Sequence, residues 1–234
     1  MPRRDPSIAR LTEDERAVMA AAWEGRSKSE AGAVNAFEHI ARALELLEAP
    51  AAVVRLARRA IADERRHIEI GRRVASAYSG IELPQPRLRT VRAPVYRGAS
   101  PRVQALLRVI GQCCFNETTA CAYARHALSI ATAPLVRAAL REITADEIDH
   151  ARVGWAALAA APPQLRNDIA AWIPSIIESH LAGWHKAMVE WPATLRTHGM
   201  PPRRDAVRVV DRTLEDLILP GLADFGVPVR YIAG

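Results

Sequence analysis

Apolar residues recur every three or four positions along most of the chain, which is the spacing of an α-helix with one buried face. Strand-like alternation is scarce, and glycine and proline gather near the ends of the periodic segments. The pattern predicts an all-α protein, and 234 residues suffice for a single domain, 1–234, with one sizeable core. The predicted helices cover about 12–23, 27–48, 51–78, 101–130, 134–161, 165–190 and 203–219.

The stretch between the third and fourth of these helices differs from the other connections. Residues 81–100 contain several prolines and show no helical period. A connector of this length can run the full height of a helical bundle, so that the second pair of long helices packs through a crossover. We therefore expect a four-helix bundle core at about 27–161, a short helix before it, and a C-terminal helical extension at about 162–234 that is disturbed at Pro174.

One motif occurs twice inside the predicted helices. The unit Asp-Glu-x-x-His lies at 63–67 and again at 146–150. Residues three apart are neighbours on a helix surface, so the glutamate and histidine of each copy point the same way and can bind one metal ion together. The two copies predict a two-metal site whose ligands include Glu64, His67, Glu147 and His150.

An upstream glutamate accompanies each copy. Glu30 and Glu117 precede Glu64 and Glu147 by 34 and 30 residues, about the length of one antiparallel helical hairpin. All four lie in apolar helical stripes that carry no Lys or Arg. Four buried carboxylates need compensating positive charge, which two divalent or trivalent cations would supply. Because Glu38 lies about 80° from Glu30, at the edge of its stripe, we assign the first-helix ligand to Glu30.

The aspartate before each motif glutamate points about 100° away from the ligand stripe, towards a neighbouring helix. Asp63 and Asp146 therefore cannot bind the metal with their own motif. Each can instead accept the free ring N–H of a ligating histidine and so fix its tautomer. We expect Asp63 near His150 and Asp146 near His67; two surface aspartates on helix rims are the other interpretation.

Candidate pocket residues lie one helical turn from the ligands. They are Val34, Phe37, Gly71, Cys121 and Gly154. Gly71 and Gly154 each follow a motif glutamate by seven residues, where a glycine either leaves open volume or lets helices pack closely. Cys121 is interpreted as a small apolar filler.

The composition indicates in which cellular compartment the protein is expected and which partners it is expected to bind. Half of the residues are hydrophobic, but no run is long enough to cross a membrane and no signal-type run follows the start, so we expect a cytoplasmic protein. Cys113, Cys114 and Cys121 lie on one predicted helix and cannot form an ordinary disulfide, which fits a reducing compartment. The net charge of +6 suggests nucleic acid as a binding partner. However, arginine pairs such as 65–66 face away from the metal stripe, which favours the interpretation that they lie on solvated helix surfaces.

Together these residues resemble the ferritin-like di-iron carboxylate superfamily, in which a Glu helix and a Glu-x-x-His helix occur twice around a long crossover. The resemblance covers about 27–161, and the stretch 24–78 looks like small bacterial ferritin-like domain proteins. It implies two iron ions as cofactors, with manganese as the alternative at one or both positions. The implied roles are terminal ligands for Glu30 and Glu117, bridging ligands for Glu64 and Glu147, and nitrogen ligands for His67 and His150.

The superfamily includes oxygenases, ferroxidases and peroxidases, so the fold does not choose the reaction. The chain lacks the four-cysteine iron domain of rubrerythrin, and unlike cage ferritins it continues for over seventy residues beyond the fourth bundle helix. We expect an oxidase or oxygenase that uses dioxygen, an external electron donor and a small organic substrate. The alternatives are a rubrerythrin-like ferroxidase or peroxidase, a tRNA-modifying hydroxylase and a non-catalytic helical interaction protein. The C-terminal helices are expected to cover one end of the bundle or to form a homodimer contact.

Overall fold

The computed structural model describes residues 5–228, and every regular element within them is helical, which confirms the all-α prediction. Four long rods carry most of the chain: α1 (Glu13–Leu46), α2 (Ala51–Ser79), a third rod, and α5 (Pro134–Ala160). The third rod joins α3 (Pro101–Val109), a π-helical segment (Ile110–Glu117) and α4 (Thr118–Ile130) without a break. Shorter helices follow as α6 (Pro163–Asp168), α7 (Ile173–Ala187), α8 (Arg203–Thr213) and α9 (Leu219–Asp224). No described helix is both long and apolar enough to cross a membrane.

The first rod, α1, is one continuous helix of 34 residues where the sequence predicted two. It begins with the expected capping box, in which the backbone N–H of Glu15 donates to Thr12 Oγ1 and the backbone N–H of Thr12 donates to the Glu15 carboxylate. The predicted break before residue 27 was wrong because Trp23 and Ser27 are both buried, and the Ser27 hydroxyl donates to an α2 carbonyl at 2.7 Å. The intervening glycine costs about 1 kcal/mol in a helix interior, which is less than burial of a large aromatic side chain contributes.

The buried residues show how the rods are oriented. At one end, the start of α1 and the end of α2 pack with the end of α4 and the start of α5, around Met19 and Leu140. At the other end, the end of α1 and the start of α2 pack with the start of α3 and the end of α5, around Leu44 and Val109. The connector that follows α2 therefore leaves the first end and reaches the second before α3 begins.

The connector at 80–100 lies along the outside of α1. The backbone N–H of Arg89 donates to the Ala31 carbonyl at 3.1 Å, and that of Val91 donates to Asn35 Oδ1 at 2.9 Å. Further on, the Pro94 carbonyl accepts a hydrogen bond from an α3 side chain at 2.9 Å. The connector thus spans the groove between α1 and the third rod.

The C-terminal helices pack on the outer face of the third rod and α5. The helix predicted at 165–190 is two helices, α6 and α7, separated by a 3-10 turn at Ala170–Trp172. Pro174 lies in the first turn of α7, where its missing N–H is tolerated, so the break precedes it. The predicted end at 219 was also wrong: a π-helical segment at Leu214–Ile218 passes directly into α9, with Pro220 in the first turn.

Candidate metal centre

Six side chains from the four rods meet between the two apolar ends, and we call them the carboxylate–histidine cluster. They fall into two overlapping groups, and within each group the possible ligand atoms lie within 4.8 Å of one another. Five of the side chains are buried, and the Glu30 side chain is 12% exposed. The structure therefore holds a buried cluster that could bind a metal ion. One group is Glu64, Glu117, Glu147 and His150; the other is Glu30, Glu64 and His67.

Glu64 and Glu147 each face both histidines. One oxygen of Glu64 lies 3.1 Å from His150 Nδ1, and the other lies 3.5 Å from His67 Nδ1. The two oxygens of Glu147 lie 3.4 Å from His150 Nδ1 and 3.8 Å from His67 Nδ1. The centroids of the two imidazole rings are 5.7 Å apart. Each of these carboxylates is thus oriented to contact two cations, one beside each histidine.

Several inward-facing atoms of the cluster are buried without a hydrogen-bond partner. They are Oε2 of Glu64, Oε2 of Glu147 and Nδ1 of both His67 and His150. An unsatisfied buried polar atom costs about 1–3 kcal/mol, and native proteins keep few of them. Carboxylate oxygens with imidazole nitrogens form a donor set that suits first-row transition metals. Metal ions among these residues would satisfy all four atoms.

The outer nitrogens of the histidines face aspartates from the opposite motif. His67 Nε2 lies 3.0 Å from Asp146 Oδ2, and His150 Nε2 lies 3.6 Å from Asp63 Oδ2. Arg66 joins the two aspartates, donating from Nη1 to Asp63 at 2.9 Å and from Nη2 to Asp146 at 2.5 Å. The Arg66 side chain is 42% exposed, in agreement with the solvated surface that the sequence predicted. Its guanidinium also reaches across to α5, and helical spacing alone does not predict that contact.

Glu117 and Glu30 have different partners. Gln112 Nε2 donates to Glu117 Oε1 at 2.6 Å, whereas Arg26 Nε pairs with Glu30 Oε1 at 3.2 Å. Residues five apart are about 140° apart on an α-helix, but a π-helix, which bonds i to i+5, brings them about one turn apart. The π-helical segment therefore aligns Gln112 with Glu117. A sequence interpretation based on α-helical spacing had no means of finding this contact.

Protonation balances the charge of the cluster when no metal is bound. Burial alone would lower the pKa of both histidines, but the facing carboxylates raise the pKa of His67 to about 9 and that of His150 to about 11. Burial and the neighbouring carboxylates raise the pKa of Glu117 well above its usual range. The same causes raise the pKa of Glu30 to about 7, although Arg26 opposes them. Metal ions would thus take the place of protons that the cluster holds at neutral pH.

The structure places Glu30 beside Glu64 and His67, and it places Glu38 elsewhere. The Glu38 carboxylate accepts a hydrogen bond from Asn35 Nδ2 at 3.1 Å. Asn35 also contacts the connector, so this side of α1 faces the connector and not the cluster.

The two candidate pocket glycines serve helix packing instead of lining open space. A Cβ atom on Gly71 would lie 2.9 Å from Cβ of Ser27 on α1. A Cβ atom on Gly154 would lie 2.7 Å from Cβ of Cys113 in the π-helical segment. Both distances are shorter than real contacts, so each glycine allows two backbones to approach closely. The interpretation of open volume at Gly71 and Gly154 was wrong.

Val34, Phe37 and Cys121, the other three pocket candidates, do not line the one large cavity found among the described residues, a space of about 1170 Å³ beside the cluster. Phe37 packs against the His150 ring, with centroids 5.0 Å apart, and Val34 is buried in a small apolar cluster with α2. Cys121 is half-buried and does not line the cavity. A helical wheel shows which residues lie near the ligands, but it does not show which neighbouring helix fills the space beside them.

A cavity of about 1170 Å³, which we call the cleft, reaches the cluster between α1 and the third rod. Glu30, Glu64, Glu117 and Glu147 form its inner wall, and its other walls come from α1, the connector, α4 and α7. Many of the wall residues are aromatic or aliphatic, and arginines lie among them. The larger apolar ones include Trp23, Ile40, Tyr123, Ile176, Trp184 and Met188.

The wall formed by α7 depends on His180. Its Nε2 lies 3.1 Å from Thr119 Oγ1 and its Nδ1 lies 3.2 Å from Asn116 Oδ1, both on the third rod. Burial lowers the pKa of His180 to about 4, so the imidazole is neutral and holds α7 in place by hydrogen bonds. The sequence contained no sign that a C-terminal helix would cover the cleft beside the cluster.

Comparisons with protein-family models, with curated proteins and with solved structures give no significant match to this chain.

Proposed function

We propose that this protein is a ferritin-like non-haem di-iron enzyme that uses dioxygen and an external electron donor to oxidise a small organic substrate. The observation that carries the proposal is the double orientation of Glu64 and Glu147, whose oxygens each face a different histidine. Such an arrangement suits two cations held side by side. Glu117 and Glu30 supply one further carboxylate to each position.

The residues fit such a metal pair in charge as well as in geometry. Four carboxylates and two neutral histidines would leave four negative charges in a buried site, which is unstable without cations. If the four carboxylates and two histidines held two iron ions, the ions would supply the electrons that reduce dioxygen, and the hard carboxylate ligands would suit the ferric state. Manganese fits the same donors, so metal availability decides between them.

The surrounding side chains orient the ligands and exclude water. Asp146 accepts from His67 Nε2–H, so Nδ1, which faces Glu64 and Glu147, is the nitrogen that would lose its proton and bind a metal ion. Gln112 holds one oxygen of Glu117 at 2.6 Å and so fixes the orientation of this carboxyl group beside Glu147. Phe37 covers one face of His150 and keeps water from that side of the cluster.

The cleft favours an organic substrate over ferrous iron or peroxide. A site that only oxidises iron needs a narrow polar path, whereas this cleft is wide and has Trp23, Tyr123 and Trp184 in its walls. Clefts of several hundred cubic ångströms with mostly apolar walls are typical of small-molecule sites.

A tRNA-modifying hydroxylase is the second candidate, and the connector favours it. Arg89 and Arg92 are exposed residues of the connector that also line the cleft. Phosphate groups bind such arginines, and the affinity would fall steeply with salt concentration. Salt-dependent tRNA binding together with a hydroxylated nucleotide would select this candidate.

The proposal is tested by anaerobic reconstitution with ferrous iron, followed by dioxygen. We expect about two irons per chain, a near-ultraviolet band of bound ferric iron, and dioxygen uptake that accelerates when an organic substrate fills the cleft. Glu117→Ala should abolish the band, and the matched change Glu38→Ala should retain it. Catalytic oxidation of ferrous iron in large excess over protein, without organic substrate, would instead identify a ferroxidase.

A further inference from the structure

Arg26 is a cation placed beside the more exposed end of the carboxylate–histidine cluster. Its guanidinium lies 5.7 Å from the centroid of the Trp23 ring, and its Nε pairs with Glu30 at 3.2 Å. Among the described residues, Glu30 is the one carboxylate within ion-pairing distance of Arg26. The Arg26 side chain is 22% exposed and lines the cleft together with Glu30.

Arg26 and a metal ion at the second position would both interact with the negative charge of Glu30. The second group of the cluster consists of Glu30, Glu64 and His67, so a cation bound there needs Glu30 as a ligand. Once that cation is bound, the single negative charge of Glu30 lies between two positive charges, so the charge of Arg26 is no longer fully balanced. The free energy of this arrangement falls if another anion comes to Arg26.

The surroundings of Arg26 define the chemistry of that anion. The carboxylates of the protein in the cleft belong to the cluster, so the anion must enter from outside. The Trp23 ring lies beneath the guanidinium, and the cleft walls also carry Tyr123 and Trp184. Arginine binds carboxylates through paired hydrogen bonds, and aromatic walls suit the apolar part of a ligand. The anion that fits here is therefore a carboxylate attached to an apolar group.

We propose that Arg26 exchanges partners, pairing with Glu30 while the second metal position is empty and binding the carboxylate of an apolar organic acid once that position is filled. This inference rests on the proposed function and names its substrate class. Metal and organic acid would then bind cooperatively, and by linkage each must strengthen the other by the same factor. Arg26 acts here as a positioning residue for the substrate.

The test measures binding alone, with manganese(II) as the metal and octanoate as the organic acid. Calorimetric titration of metal-free wild-type protein with manganese should resolve a tighter and a weaker event. We expect saturating octanoate to strengthen the weaker event by about fivefold or more, and octan-1-ol, which has the same chain length but no charge, to leave it unchanged. Arg26→Gln should bind the second manganese more tightly without octanoate and should lose the response to octanoate.

Arg42→Gln is the matched control, since Arg42 is exposed on the same helix and does not line the cleft. It should behave as the wild type. If Arg26→Gln fails to fold, Arg26→Lys replaces it in the test; this variant keeps the charge and should retain part of the coupling between metal and octanoate. The proposal is overturned if Arg26→Gln leaves the weaker event unchanged, or if octanoate still strengthens it in that variant, which would indicate direct binding of octanoate to the metal. If the wild-type protein binds two manganese ions but does not respond to octanoate, the role proposed for Arg26 is wrong and the proposed function is not contradicted. Protein that binds no metal overturns the proposed function.

Discussion

The two halves of the carboxylate–histidine cluster come from the same motif but sit in different surroundings. The α1–α2 half has Glu30 on an ordinary α-helix, partly exposed and paired with Arg26. The other half has Glu117 at the end of a π-helical segment, where it is 5% exposed and held by Gln112. A repeated sequence motif therefore specifies similar ligands, while the residues around each terminal carboxylate make one metal position more enclosed than the other.

The largest effect should come from removing a carboxylate that the two halves share. Glu64→Gln takes away the charge that faces both histidines, and the imidazolium ions of the metal-free protein lose a buried counter-charge. Breaking a buried ion pair costs about 3–5 kcal/mol, so the free energy of unfolding should fall by that order. Denaturant unfolding of metal-free protein measures it. The variant should also bind no more than one metal ion, and retention of two metal ions with wild-type stability would contradict the shared role.

Removal of Glu117 or of Glu30, each of which belongs to one half only, should affect the two metal positions differently. Glu117→Ala is expected to lose the tighter metal position, because Glu117 belongs to the fully buried group with His150. Glu30→Ala should lose the weaker position and keep the tighter one. Metal titration of the two variants, with Glu38→Ala as control, checks the difference. Identical titrations for Glu30→Ala and Glu117→Ala would show that the halves are equivalent after all.

Metal affinity should rise with pH. His67 and His150, with pKa values raised to about 9 and about 11, are protonated at neutral pH in the metal-free protein and must lose those protons to bind metal. Each displaced proton makes the affinity rise about tenfold per pH unit below the pKa of its group. Calorimetry in two buffers of different ionisation enthalpy should give a release of about two protons or more per chain between pH 6 and pH 8. Binding without proton release would contradict the protonated state of the histidines.

The smallest effect should distinguish the two supporting aspartates. His67 Nε2 lies 3.0 Å from Asp146, whereas His150 Nε2 lies 3.6 Å from Asp63. Loss of a carboxylate behind a ligating histidine typically costs about 10–100-fold in metal affinity. We expect Asp146→Asn to fall in that range and Asp63→Asn to fall below it, each measured by manganese titration. A larger loss in Asp63→Asn would reverse this order of support.

Spacing along the sequence predicted the long helices and the residues that meet between them, because both depend on periodicity within a helix. The ends of α2 were predicted within about one residue, since Pro50 and Gly80 mark them. The continuity of α1 was missed because burial of Trp23 outweighs a local glycine. The bridge made by Arg66, the contact between Gln112 and Glu117, and the cleft under α7 depend on which helices become neighbours. Periodicity within one helix carries no information on that.

Each Asp-Glu-x-x-His motif supplies the aspartate that lies behind the histidine of the other motif, so neither helical hairpin is complete by itself. Asp63 lies behind a histidine of the second hairpin, and Asp146 lies behind a histidine of the first. A single hairpin would therefore have its own glutamates and histidine but no carboxylate to hold that histidine's ring. The smallest unit that can assemble the complete centre is the pair of hairpins, and two fragments separated within the connector would have to complement each other to restore it.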